Sequence, residues 1–146
     1  MKFYKKIEKP LGELLIERGI ISNSQLREAL EVQKKEGGLI GEVIVKLGFA
    51  KEEEIAQCIS LQYGFPFLSL NNYEVSPEVI KLVPKHIASY YCLIPIDKIQ
   101  NILTVAMANP LNYEAIEDLE YSTSLNIQVF VSTPSDIRKA IERFYK

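Results

Sequence analysis

Between Pro10 and Gly64 the apolar positions recur at helical spacing, and glycine interrupts them at regular points. Leu11, Leu14 and Leu15 stand at i, i+3 and i+4. They predict a short helix with Pro10 at its first position and Gly19 just past its end. Ser22 with Gln25 three residues on has the form of a capping box. Leu26, Leu30 and Gln33 then follow on one stripe at i, i+4 and i+7, and Gly37-Gly38 stops that second helix. The pattern starts again at an offset of 29. Leu11-Gly12-Glu13 falls on Ile40-Gly41-Glu42, Gly19 on Gly48, Leu26 on Ile55, Ala29 on Cys58, Leu30 on Ile59 and Gln33 on Gln62. Two helices are expected again, Ile40 to Leu47 and Glu52 to Tyr63, the latter with Glu52, Glu53 and Glu54 at the positive end of its dipole. A unit used twice is the first thing to seek in a chain, because it fixes the architecture.

From Pro66 onward the pattern changes. All seven glycines lie before this point and six of the seven prolines at or after it. Phe67 to Leu70 reads as a short extended piece. Ser76-Pro77 and Pro84 each open a short helix. Leu93 to Ile99 and Ile102 to Ala108 read as strands joined at Gln100-Asn101. A helix is expected over Leu111 to Tyr121, an alternating strand over Ile127 to Val131, and a last helix after Thr133-Pro134 with Ile137, Ile141 and Phe144 inward. The expected fold is α+β. A duplicated helical-hairpin subdomain (residues 1–65, units 10–33 and 39–62) packs on an α/β subdomain (residues 66–146) with a sheet of about three strands and flanking helices.

Composition narrows the class. With 146 residues, 47% apolar and 25% charged, and a net charge of −2, the chain is an ordinary globular domain. No apolar run reaches the roughly 18 residues of a membrane span. The start has no apolar core of a secretory signal, so a cytoplasmic location is expected. Two cysteines, Cys58 and Cys92, make neither a disulfide framework nor a zinc site, and both read as small buried apolar residues. The single histidine, His86, has no nucleophile motif beside it, and no G-x-x-x-x-G-K-[ST] loop exists. No catalytic residue, metal or cofactor is therefore expected. DNA or RNA as a partner is disfavoured by the acidic balance and by Glu28, Glu31 and Glu52 to Glu54 on the second helix of each unit. A basic stretch, Lys2, Lys5, Lys6 and Lys9, opens the chain.

The repeat holds the candidate chemistry. Gly12 and Gly41 fall early in their helices, where glycine costs about 1 kcal/mol against alanine. Close approach of another helix or of a ligand would explain them. Gln33 and Gln62 continue apolar stripes, where a buried amide needs partners. Helix N-termini favour anions, so two duplicated sites suit a ligand that is itself duplicated.

The doubled unit resembles the motif R-L-G-x-x-[LVI]-[LVI]-x-x-G-[LVI]-[LVI]-x-x-x-x-L-x-x-x-L-x-x-Q, used twice with a five-residue spacer. That is the mark of the N-terminal domain (MshEN or GspE N-terminal type) of type II secretion and type IV pilus assembly ATPases. Pro10 to Gln33 and Leu39 to Gln62 match it, Lys34 to Gly38 is the spacer, and Asn109-Pro110-Leu111-Asn112 also fits. The resemblance implies a non-catalytic domain that regulates the ATPase domains downstream or docks them on the cytoplasmic part of an inner-membrane platform protein. It implies a location at that membrane reached through partners. Some members are receptors for cyclic di-GMP. By motif, the contacts would come from Leu11, Gly12, Leu26, Leu30 and Gln33 in one unit and Ile40, Gly41, Ile55, Ile59 and Gln62 in the other. The leading arginine of the motif is replaced by Pro10 and Leu39, and neither offers a planar charged fork for a base or phosphate.

Overall fold

The computed structural model describes residues 10–146. The basic stretch Lys2 to Lys9 lies outside the described residues. The helical half is α1 (Leu11–Glu17), α2 (Asn23–Glu36), α3 (Ile40–Lys46) and α4 (Glu52–Tyr63). The offset of 29 carries Leu11 to Ile40, Glu17 to Lys46 and Asn23 to Glu52, so three helix boundaries repeat to the residue. The turns repeat as well. Gly19 and Gly48 sit at φ +74° and +80°. Gly19 N donates to Ile16 O at 3.0 Å and Gly48 N to Val45 O at 2.9 Å; Ile20 N donates to Leu15 O at 2.9 Å and Phe49 N to Ile44 O at 3.1 Å. These are the left-handed helix stops for which glycine lacks the steric penalty.

Helix starts follow local chemistry. The capping box is present: Gln25 N donates to Ser22 Oγ at 3.1 Å and Ser22 N to Gln25 Oε1 at 2.8 Å. In the second unit only the return bond survives, Lys51 N to Glu54 Oε1 at 2.9 Å, because a lysine cannot accept. Pro10 is found one place earlier than expected. It is the N-cap of α1, extended at φ −63° and ψ 153°, and its carbonyl accepts from Leu14 N.

The second half is α5 (Pro77–Ile80), α6 (Lys85–Tyr91), β1 (Leu93–Ile99), β2 (Ile102–Met107), α7 (Tyr113–Thr123), β3 (Asn126–Val131) and α8 (Pro134–Phe144). Ser76 precedes α5 but makes no side-chain cap bond. α7 starts two residues later than expected, because the Asn112 side chain caps it by accepting from Ala115 N at 3.2 Å. Thr133 caps α8 by accepting from Asp136 N at 3.3 Å. The sheet has the order β1-β2-β3. β1 and β2 form an antiparallel hairpin, tightened at Gln100 (φ +55°). β3 runs parallel to β2 after the α7 crossover. Phe67 bridges Val131 beside β3.

One continuous core joins the halves. Leu15, Ile44 and Ile59 of the helices and Leu93, Leu103, Ile127 and Val131 of the sheet belong to a single buried cluster. Across the junction Arg138 of α8 pairs with Glu42 of α3 at 2.8 Å. No helix among the described residues is long and apolar enough to cross a membrane.

Candidate functional site

The junction leaves a cavity of about 170 Å³ between α3, the start of α4 and the carboxyl ends of β2 and β3. The ends of adjacent parallel strands are where open α/β sheets habitually place ligands, since the chain leaves the sheet there and the next helix starts. Here β2 is followed by Ala108 and Asn109, and β3 by Ser132 and Pro134, and all four line the cavity.

Five of the ten motif residues meet at this place: Leu11, Gln33, Ile40, Gly41 and Ile55. The other five do not. Gly12 is covered by its own unit, because a Cβ there would lie 2.5 Å from Leu26 Cδ1. Gly12 is thus explained by a helix packing against it. Gly41 differs, since a Cβ there would meet only Leu11 Cδ2, at an ordinary 3.5 Å. The reason is the residue that replaces Leu26 in the second unit. Ile55 puts no atom within 4 Å of that position, and the space Leu26 fills in the first unit is part of the cavity in the second. Leu30 is exposed (46%), and Ile59 is fully buried in the core.

Neither glutamine is the buried amide the stripe suggested. Gln33 is half-buried, and its Nε2 donates to Gly38 O at 3.0 Å, closing its own helix end. Gln62 is exposed and its Oε1 accepts from Arg18 Nη1 at 3.1 Å.

Sequence reasoning missed Glu42, Glu52, Asn109 and Ser132, which also line the cavity. Both carboxylates have hydrogen-bond partners, and Glu42 is paired with an opposite charge. Glu42 accepts from Arg138 Nη2 at 2.8 Å, and Arg138 Nη1 also donates to Ser89 O at 2.6 Å. The bond to Glu42 raises the Arg138 pKa. Glu52 accepts from Ser135 Oγ at 3.0 Å at the start of α8. Ser132 is the exception. Its Oγ is fully buried and has no hydrogen-bond partner. The signal for this group was the position of the strand ends, legible only once β2 and β3 are known to be parallel neighbours.

The site has the make-up of a binding pocket. Its walls are largely aliphatic, and its polar groups include no nucleophile with a base beside it. His86 is exposed on α6. Cys58 and Cys92 are buried in the core. Burial pushes the Cys92 thiol up to about 12 and raises that of Cys58 against the pull of Arg18, so both stay protonated and unreactive.

Residues 63–146 match the MshEN domain. The type IV pilus assembly ATPase PilB of Myxococcus xanthus (strain DK1622) is 42% identical over 135 residues, 92% of this chain. The chain spans only 24% of the length of that relative. Among solved structures, MshE with cdg (cyclic di-GMP) superposes with a TM-score of 0.70 at 27% identity, over 94% of this chain and 100% of that one. The N-terminal domain of XpsE superposes with a TM-score of 0.74 over 96% of this chain and 100% of that one; at 21% identity this is a likeness of fold.

Proposed function

The chain belongs to the MshEN domain family, and from that premise we propose that it is a non-catalytic regulatory and docking module of a type IV pilus assembly or type II secretion ATPase. The observation that carries this is the 42% identity to a pilus assembly ATPase across nearly the whole chain. The chain's own sequence has no phosphate-binding loop, so ATP hydrolysis belongs to other domains of such a protein. Those domains, and the cytoplasmic part of an inner-membrane platform protein, are its partners in this reading. Its place is then the cytoplasmic face of the inner membrane. The direct test is to mix the chain with the cytoplasmic domain of the platform protein from the same genome and follow co-elution. A stoichiometric complex is expected; two independent peaks at high micromolar concentration contradict docking.

A second reading is favoured by the likeness to MshE with cdg: the chain itself takes cyclic di-GMP. In this reading the ten motif residues take three roles, and only the first two groups touch the ligand. Leu11, Gln33, Ile40, Gly41 and Ile55 wall the cavity. Leu30 and Gln62 are exposed and open to the outer part of the ligand. Gly12, Leu26 and Ile59 shape the scaffold from within. Losing a charge-assisted hydrogen bond costs roughly 1.5–3 kcal/mol. Two such losses, at Pro10 and Leu39, lower affinity by roughly two to four orders of magnitude relative to arginine-bearing repeats. Calorimetry with cyclic di-GMP decides. Saturable binding that Gly41→Glu abolishes supports the receptor; no heat at millimolar ligand excludes it and leaves the docking reading intact.

A further inference from the structure

Two surfaces of opposite sign lie away from the cavity. The first is a groove of about 490 Å³ between α5, the turn into α6 and the end of α8. Its floor is apolar, with Ile80 and Val83 buried and Phe144 half-buried, and its exposed rim carries Lys81, Lys85, Arg143 and Lys146. No carboxylate lines it, and none of these four cations is ion-paired among the described residues. Arg143 is held in place. Its guanidinium donates to Asn71 O at 3.4 Å and to Tyr73 O, and lies 4.4 Å from the centre of the Phe144 ring. Tyr145 Oη donates to Val83 O at 2.8 Å, which ties the end of α8 to the groove wall. A cation and a wall fixed in advance lose little freedom when a partner arrives. The second surface is the outer face of α7. Glu114, Glu117, Asp118 and Tyr121 recur at i, i+3, i+4 and i+7, so they share one side of the helix, and all four are exposed. The helix contains no basic residue. Tyr121 is 91% exposed. Tyr90, 73% exposed, stands nearby, since its ring lies 4.9 Å from that of Tyr91, whose hydroxyl donates to Asp118. Exposed tyrosines of this kind are common anchors of protein interfaces.

We propose that the basic groove docks the acidic α7 face of a second copy of this chain, with Tyr121 over the apolar floor and Glu114, Glu117 and Asp118 against the cations of the rim. Charge complementarity selects this occupant. The groove presents positive charge without a carboxylate, the helix face presents carboxylates without a base, and no ion pair within the described residues satisfies either. Shape and polarity agree, because an apolar floor inside a charged rim suits a ring flanked by charges of the other sign. The two surfaces share no residue, so one copy offers both at once. The pairing depends neither on a ligand in the cavity beside Gly41 nor on the platform protein.

The test is sedimentation velocity of the chain from micromolar to millimolar concentration, at low and at molar salt. Two charge-reversed forms are compared with the wild type: Lys81→Glu with Lys85→Glu in the groove, and Glu114→Lys with Glu117→Lys on α7. The wild type should self-associate at low salt and dissociate as salt screens the contact. Each reversed form should associate at least about tenfold more weakly. An equimolar mixture of the two should associate again, because one brings an intact α7 face and the other an intact groove. Should a reversed form lose its cooperative thermal melt, Tyr121→Ser and the salt series decide, since both should weaken association without reversing a charge. A wild type that is monomeric at millimolar concentration overturns the proposal. So does association that neither reversal weakens, or a mixture that stays apart. A wild type that stays monomeric and yet binds a poly-glutamate peptide through Lys81 and Lys85 overturns the second copy as occupant and assigns the groove to a different acidic partner.

Discussion

Two glycines at equivalent positions do different work. Gly12 lets Leu26 close on α1, whereas Gly41 leaves a space open. The difference is measurable. Gly12→Ala adds a methyl at 2.5 Å from Leu26 Cδ1, and overpacking of that kind costs about 1–3 kcal/mol, set against about 1 kcal/mol gained in helix propensity. Gly41→Ala meets only an ordinary contact at 3.5 Å and keeps most of the propensity gain. The propensity gain is common to both, so urea unfolding should place Gly12→Ala below Gly41→Ala by about 1–3 kcal/mol. Equal stabilities contradict the packing account. The sequence announced both glycines as places of close approach and left open what approaches. Only the geometry separates them, because the cause is one residue, leucine against β-branched isoleucine, on a different helix 14 positions away. The glutamines taught the opposite lesson. They sit on the predicted stripe, but near helix ends, where a long amide reaches a carbonyl or an arginine more readily than the core.

At the scale of elements, the helices were legible almost to the residue, because their ends are written in local chemistry. Gly19, Gly48 and Gly64 adopt the left-handed conformation expected of helix stops, and Ser22 with Gln25 makes both bonds of the box. The shifts, Pro10 to the N-cap and α7 to Tyr113, are choices between neighbouring cap residues, which sequence ranks poorly. The strands were found by alternation, and the hairpin despite a weak turn pair. How α8 meets α3 was not legible, since it depends on residues almost a hundred positions apart. Arg138 holds Glu42 there with both side chains about one-third exposed, at 40% and 32%. Solvent screening discounts such a pair, but the further bond to Ser89 O adds a geometric constraint. Arg138→Ala should cost roughly 1 kcal/mol, and the cost should shrink in molar salt. A loss independent of salt would assign the effect to packing of the arginine stem.

For the whole molecule, a single core through both halves has a pH signature. Cys92 is raised from 9.0 to about 12 by burial. Tyr91 is raised from 10.0 to about 12, first by its hydrogen bond to Asp118 at 2.5 Å and then by burial, and Tyr145 to about 12 by burial. Each is an acid that keeps its proton longer when folded. Above about pH 9 the folded chain therefore binds more protons than the unfolded chain, and stability falls as pH rises. Stability should be level from pH 7 to about 8.5 as far as these groups are concerned, then decline through pH 12. Cys92 begins the decline with about 1.4 kcal/mol per pH unit, and Cys58, raised by burial from the same ordinary value, adds to it in the same direction. Cys92→Ala should flatten the curve between pH 9 and 10, read as urea midpoints; an identical decline in the variant assigns it elsewhere.

The molecule as a whole carries a repeat, a cavity and a core, and no reactive side chain in that cavity, which is why its proposed work is attachment and regulation. The most direct test uses a full-length ATPase of this family that carries these residues, with and without residues 1–146. Both forms would be assayed for ATP hydrolysis and for binding to the cytoplasmic domain of the platform protein. The account predicts that deletion removes binding to the platform while hydrolysis persists. Undiminished binding without these residues, or hydrolysis by residues 1–146 alone, would contradict it.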